Sequence, residues 1–80
     1  MAKYRVVLNN DDVNTFDHVI DSLIDVCGHN YYQALQCATI VHNNKQCAVF
    51  HGNLDSCETV CELLLKEDLD AVIEKIKRKK

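Results

Sequence analysis

The apolar positions of this chain follow two periodicities, one typical of strands and one typical of helices. Residues 4–8 form a short apolar, β-branched run, which predicts a strand buried on both faces. Residues 9–14 are a loop rich in Asn and Asp, and either Asn14 or Thr15 is the expected N-cap of a first helix that stops at Gly28. The helix is indicated by apolar residues at i, i+3, i+4 and i+7, namely Phe16, Val19, Ile20, Leu23, Ile24 and Cys27.

A second helix, a second strand and a third helix follow. Asn30 is the expected N-cap of the second helix, Gln33 completes a capping box, and the helix is expected to end near His42. Its apolar stripe consists of Tyr31, Ala34, Leu35, Ala38 and Val41. Residues 45–51 alternate, which predicts a strand, and residues 54–66 have helical periodicity. The stripe of this third helix consists of Cys57, Val60, Cys61 and Leu64.

The final apolar segment, residues 69–76, fits two structures. Its periodicity favours a helix, whereas Ala71, Val72 and Ile73 would also suit a strand. Because two strands alone make a marginal sheet, a third strand would complete one. The order is therefore βααβα followed by a strand or a helix. It predicts a two-layer α+β sandwich, with residues 1–80 as a single domain.

Composition narrows the class of protein. The net charge of −3 argues against a dedicated nucleic-acid binder, which normally has a positive face. No apolar run approaches the roughly 20 residues that cross a bilayer, and no secretory signal is expected before the first strand. The five cysteines are odd in number, and no pair has C-x-x-C spacing. We therefore expect free thiols that pack as small core residues in a reducing cytoplasm.

Candidate catalytic chemistry is sparse. Ser22 and Ser56 lie within predicted helices, without the sharp turn that exposes a nucleophile. The two isolated glycines cannot form a phosphate-binding loop, and the histidines and cysteines lack the spacing of a zinc finger. The chain is therefore not expected to be an enzyme or to hold a metal or another cofactor.

The most distinctive polar stretch is Leu8-Asn9-Asn10-Asp11-Asp12, at the exit of the first strand. Its amides and carboxylates can accept hydrogen bonds and attract a cation such as an ammonium group. A structural turn with a helix cap would use the same residue types. A hard-cation site at Asp11 and Asp12 is a further alternative, and His42 lies on or beside the buried stripe of the second helix.

Together these features resemble the ClpS family of proteolytic adaptors, over about residues 4–75. The resemblance rests on the sequence Val-Leu-Asn-Asn-Asp-Asp at residues 7–12, on Val41-His42 at the end of the second helix, and on the βααβα order. The family's fold is a three-stranded antiparallel sheet packed on three helices, similar to the C-terminal domain of the ribosomal stalk protein. The resemblance therefore implies the order βααβαβ, with residues 69–76 as a third strand.

The resemblance also implies a function that is not catalytic. ClpS-like proteins bind N-degron substrates, whose first residue is Leu, Phe, Tyr or Trp. They deliver these substrates to the N-terminal domain of a Clp AAA+ unfoldase of the ClpA or ClpC type, which feeds a protease. The chain is thus expected to be a monomeric N-end rule adaptor in the bacterial cytoplasm, with N-degron proteins and an unfoldase as partners and without nucleic-acid or membrane contact.

The residues that match the family's substrate site are implied in the same way. Asn10, Asp11 and His42 match the residues that bind the α-amino group, while Asp12 and Asn14 belong to the loop over the peptide backbone. A protonated amine needs several acceptors, and a carboxylate adds charge assistance. The imidazole accepts only when neutral, so binding should weaken as it protonates. The apolar pocket is expected to be lined by Phe16, Val19, Ala38, Val41 and Leu69.

Some positions depart from better-known members. Phe16 and Ala38 stand where many carry Met, and Asn14 stands where Thr is usual. Because Phe is stiffer than Met and Ala leaves more space, we hypothesise that β-branched first residues are also admitted. Asp55 and Glu58 match the surface that docks on the unfoldase. Members usually carry an N-terminal extension, so either it is missing from this sequence or delivery works differently.

Two alternatives belong to other functional classes. The first is a structural or protein–protein interaction module of the same fold that docks on a partner without recognising an N-terminal amine. The second is a cation-binding domain built on Asp11, Asp12 and His42. A requirement for a free amine separates the adaptor from the first alternative, and metal-dependent stabilisation would reveal the second.

Overall fold

The secondary structure has the order βααβαβ. The computed structural model describes residues 3–10 and 13–77. Its elements are β1 (Tyr4–Asn9), α1 (Phe16–Cys27), α2 (Tyr31–Asn44), β2 (Gln46–Gly52), α3 (Leu54–Lys66) and β3 (Asp70–Lys75). The predicted α+β class, with an antiparallel sheet packed on helices, is confirmed. Within the described ranges, no helix is both long enough and apolar enough to cross a membrane.

The sheet has β1 at its centre, with β2 and β3 antiparallel on either side. Leu8 lies opposite Cys47 on β2 and Ala71 on β3. Because side chains alternate between the faces of a strand, Val6 and Leu8 project toward the helices. Both are fully buried in the core, together with Leu23, Cys57 and Leu64 of the helices.

The opposite face of the sheet is partly apolar at its centre. Val7 projects there, between Ala48 and Val72, and is only 3% exposed. The prediction that the first strand is buried on both faces is therefore confirmed for its central residues. Next to Val7 on this face, Arg5 forms an ion pair with Glu74 at 2.9 Å.

The helix ends follow local sequence rules. Thr15, not Asn14, is the N-cap of α1, and its side chain accepts a hydrogen bond from the backbone N–H of His18 at 3.1 Å. Asn30 and Gln33 form the predicted capping box. Gly28 ends α1 with φ 72°, a left-handed conformation that glycine adopts without steric cost.

The second helix ends within two residues of its predicted end near His42, since it continues through Asn44. Lys45, predicted to be the first residue of the second strand, instead adopts a left-handed conformation with φ 79° and donates its backbone N–H to the carbonyl of Val41. The strand therefore begins one residue later than predicted, at Gln46. Tyr31, placed in the apolar stripe of this helix, is 56% exposed.

The helical periodicity of residues 69–76 is misleading, and the strand implied by the family resemblance is confirmed. The segment pairs with β1 along its length, and Ala71 and Ile73 join the core while Val72 lies on the other face. Short apolar runs fit either structure, so the choice depends on whether a partner strand is available. Here the edge of β1 that does not pair with β2 forms the hydrogen bonds with β3.

Candidate functional site

A cavity of about 490 Å³ opens where β1 ends and α1 begins, beside the last turns of α2. It is lined by Asn10, Asn14, Phe16, Val19, Ala38, Val41 and His42. Seven residues proposed from the sequence are therefore brought to one cavity, although they come from three separate segments of the chain.

The cavity has an apolar floor and a polar rim. Ala38 and Val41 are buried, because they lie three residues apart on the face of α2 that meets the core. His42 follows Val41 and is exposed, while Asn10 is half-buried. An apolar side chain could occupy the floor while a polar group is bound at the rim.

Asn10 and His42 lie on segments that are joined by a backbone hydrogen bond. The N–H of Asn10 donates to the carbonyl oxygen of Lys45 at 2.8 Å. Lys45 is the cap residue that follows α2, three residues after His42. The end of β1 is thereby held against the end of α2, and the Asn10 side chain remains outside this bond.

The segment before α1 is tied to the turn between α3 and β3. The Asn14 amide donates to the carbonyl oxygen of Asp68, and the His18 ring donates to that of Glu67, both at 2.7 Å. His18 was not among the proposed site residues. Its position in the first turn of α1, shortly after the polar loop, was the available sequence signal.

Leu69 does not line the main cavity. It is 3% exposed and borders an adjoining space of about 20 Å³, together with Leu8, Asn9, Asn10, Asn14, Val19 and Val41. Val19 and Val41 line both this space and the main cavity. Asp11 and Asp12, proposed for the amine and backbone contacts, lie outside the described residues.

The proposed docking residues lie elsewhere, on α3. Asp55 and Glu58 are both exposed, and Glu58 borders a groove of about 370 Å³ whose other residues are Cys61, Glu62, Leu65 and Ile73. Val60 is 7% exposed and belongs to the core. The exposed face of α3 is therefore acidic near its start.

The cysteines lie within the described residues, and all are free thiols that are buried or half-buried. Burial raises the pKa of Cys27 to about 11, with a smaller contribution from nearby Cys37. Burial, followed by a hydrogen bond to Cys37, raises the pKa of Cys47 to about 12. Thiols with such pKa values stay protonated near neutral pH and are poor nucleophiles.

Metal ligands are not clustered in the described part of the chain. Among residues 3–10 and 13–77, no group of three or more His, Cys, Asp or Glu side chains is placed to hold a metal ion. The cavity itself is lined by amides, an imidazole and apolar side chains.

Comparison with known proteins identifies the family. The family model of ClpS, the ATP-dependent Clp protease adaptor protein, matches residues 1–73. Among solved structures, the chain is similar to Agrobacterium tumefaciens ClpS2 bound to L-phenylalaninamide, with a TM-score of 0.85 and 23% identity over 94% of this chain and 98% of that chain. That likeness supports the fold. No curated protein sequence matches the chain. Because the family model covers most of its length, the chain belongs to the ClpS family of Clp protease adaptors.

Proposed function

We propose that this protein is an N-end rule adaptor that binds the free α-amino group and the bulky apolar first residue of N-degron substrates. The first residues concerned are Leu, Phe, Tyr and Trp, and the bound substrate is delivered to a Clp AAA+ unfoldase of the ClpA or ClpC type. The observation that carries the proposal is the cavity with an apolar floor and with Asn10 and His42 on its rim.

The size and chemistry of the cavity support this assignment. Its volume of about 490 Å³ lies within the range of small-molecule pockets. L-Phenylalaninamide, which is bound to the relative ClpS2, has a free α-amino group, a benzyl side chain and an amide in place of the next peptide bond. A ligand of this kind needs an apolar floor and polar acceptors side by side.

Each proposed site residue has a role that suits its chemistry. The side chains of Asn10 and His42 accept hydrogen bonds from the α-ammonium group, and the Asp11 carboxylate adds charge assistance. Asp12 and Asn14 contact the peptide backbone. Phe16, Val19, Ala38 and Val41 surround the first side chain, and Leu69 supports the inner wall.

Residues 1–80 act as a single adaptor domain, as a monomer in the bacterial cytoplasm, without a cofactor. Asp55 and Glu58 on α3 belong to the surface that docks on the unfoldase, and both are exposed. A module of the same fold that docks on a partner without recognising an amine is the competing function.

Fluorescence anisotropy with a labelled peptide that begins with Phe, beside its N-acetylated twin, tests the proposal. Acetylation removes the charge and two donors, so we expect at least about a 100-fold loss of affinity. His42→Ala should weaken binding of the free peptide about 10- to 100-fold, because a hydrogen bond to a charged group is lost.

His51→Ala is the matched control, since His51 is exposed on β2 and does not border the cavity. It should bind like the wild type. Equal binding of the free and acetylated peptides, or binding of neither, would refute amine recognition and leave the competing function.

A further inference from the structure

The turn between α3 and β3 bonds to two side chains, one from the first turn of α1 and one from the segment just before that helix. The His18 Nε2 atom lies 2.7 Å from the carbonyl oxygen of Glu67, and since a carbonyl only accepts, the ring donates. The Asn14 amide donates to the carbonyl oxygen of Asp68, also at 2.7 Å. Asp68 has φ 64°, a left-handed conformation that Asp adopts more readily than most residues with a Cβ atom. The bonds from Asn14 and His18 therefore hold a turn that contains a left-handed residue.

The residue directly after this turn closes the inner end of the pocket region. Leu69 is 3% exposed, and its backbone N–H bonds to the carbonyl of Leu64 at 3.2 Å. It shares a space of about 20 Å³ with Val19 and Val41, which also border the main cavity. A space of this size has room for about one water molecule. A retreat of Leu69 would enlarge this space, which shares Val19 and Val41 with the main cavity.

We propose that His18 is a positioning residue for the substrate pocket. Through the Glu67 carbonyl it holds the turn in place, so that Leu69 stays against Val19 and Val41 and sets the depth of the pocket. The depth in turn selects among apolar first residues, because a short side chain leaves unfilled space in a deeper pocket whereas a long one fills it. This inference rests on the proposed function.

Two substitutions of His18 separate the effect of its hydrogen bond to Glu67 from the effect of the ring's volume. His18→Phe keeps a ring without a donor, and His18→Gln keeps a side-chain N–H. The backbone N–H of His18 bonds to Thr15 in both, so the cap of α1 is retained. We expect His18→Phe to bind a Leu-initiated peptide about 2- to 10-fold more weakly, with a smaller loss for a Trp-initiated peptide, and His18→Gln to restore binding.

Amide hydrogen exchange, measured without peptide, tests whether His18 holds the turn before Leu69. In His18→Phe, the amide of Leu69 should exchange its hydrogen faster than in the wild type, because the turn opens more often. His18→Gln should return it toward the wild-type rate. His51→Phe, which adds the same ring at an exposed position on β2, should leave both the exchange rate and the affinity unchanged.

A double-mutant cycle with Leu69→Val tests whether His18 acts through Leu69. If it does, His18→Phe should cost little affinity once Leu69 has been shortened. The inference is overturned if the two losses add, if His18→Phe changes neither exchange nor affinity, or if His18→Gln behaves like His18→Phe. Failure of the proposed function would be visible separately, as absence of binding by the wild type itself.

Discussion

Ala38 is a small side chain on the floor of the pocket, and it is 3% exposed. Val41 lies one turn later on the same face of α2, while Phe16, at 41% exposure, borders the cavity nearer to solvent. The methyl group of Ala38 leaves space where the family often places Met. A substrate side chain that branches at its Cβ atom is wider than that of Leu, and we hypothesise that this space accommodates the extra width.

Ala38→Met should therefore narrow the range of first residues that the pocket accepts. We expect the wild type to bind Ile- and Val-initiated peptides in addition to Leu-initiated ones. The longer side chain should weaken Ile and Val binding at least about tenfold more than Leu binding, since pocket discrimination by a methylene or two is of this order. Anisotropy titrations with the three peptides measure the ratios.

Ile40→Met is the control for this substitution, because Ile40 is 40% exposed on α2 and does not border the cavity. It should leave the three affinities unchanged. A wild type that fails to bind Ile- and Val-initiated peptides, or an equal loss for all three peptides in Ala38→Met, would contradict the hypothesis of an enlarged pocket.

The end of α2 connects to the end of β1 on the polar side of the cavity. Lys45 follows the helix in a left-handed conformation, a position where glycine is usual. Its carbonyl accepts the backbone N–H of Asn10, so the same residue ends α2 and anchors the end of β1. Because both bonds of this connection use main-chain atoms, the side chain of Lys45 is not required for it.

Lys45→Gly should increase the free energy of unfolding by about 0.5–1 kcal/mol, because glycine adopts the left-handed conformation without a Cβ clash. Urea denaturation followed by circular dichroism measures the change. Peptide affinity should stay within twofold of the wild type, since the carbonyl that anchors Asn10 remains.

Gln36→Gly, in the same helix, should instead decrease the free energy of unfolding. Gln36 is exposed in the middle of α2, where glycine costs about 0.5–1 kcal/mol of stability. If Lys45→Gly destabilises the protein as Gln36→Gly does, the left-handed conformation of Lys45 is not a source of strain.

At the level of the whole molecule, an adaptor needs two surfaces that work independently. The proposed substrate pocket is formed by β1, α1 and α2, whereas the proposed docking residues Asp55 and Glu58 lie on α3. Neither residue borders the pocket, and both are exposed, so they can be changed without disturbing the core. Substrate binding and delivery should thus be separable by mutation.

Charge reversal on α3 tests this separation. In the double variant Asp55→Lys, Glu58→Lys, we expect unchanged affinity for a Phe-initiated peptide. Degradation of a Phe-initiated protein by the Clp unfoldase and its protease should be at least about tenfold slower, because reversing two charges removes the charge complementarity of a docking surface. The measurement is degradation kinetics with purified components.

Lys66→Glu, at the other end of α3, is the matched charge reversal and should have little effect on degradation. Unimpaired degradation with the double variant would place the docking surface elsewhere. Loss of peptide affinity would instead show that α3 and the pocket are coupled.

Local patterns were enough to predict the helices and the family. Cap residues such as Asn30, and the apolar periodicity of α1 and α3, depend on neighbours within one or two turns, so the sequence contains the whole signal. The polar stretch after β1 and the Val41-His42 pair carry the family resemblance, which in turn implied the third strand and the candidate site.

Contacts between distant residues decided the rest. The backbone of β3 needs β1 as a partner, and no periodicity within residues 69–76 contains that information. His18 and Asn14 bond to carbonyls that are 49 and 54 residues away in the sequence, in the turn that directly precedes Leu69. Lys45 adopts its left-handed conformation where α2 meets the end of β1. In each case the energy lies in a contact that exists only after the chain has folded, so local sequence rules could not reveal it.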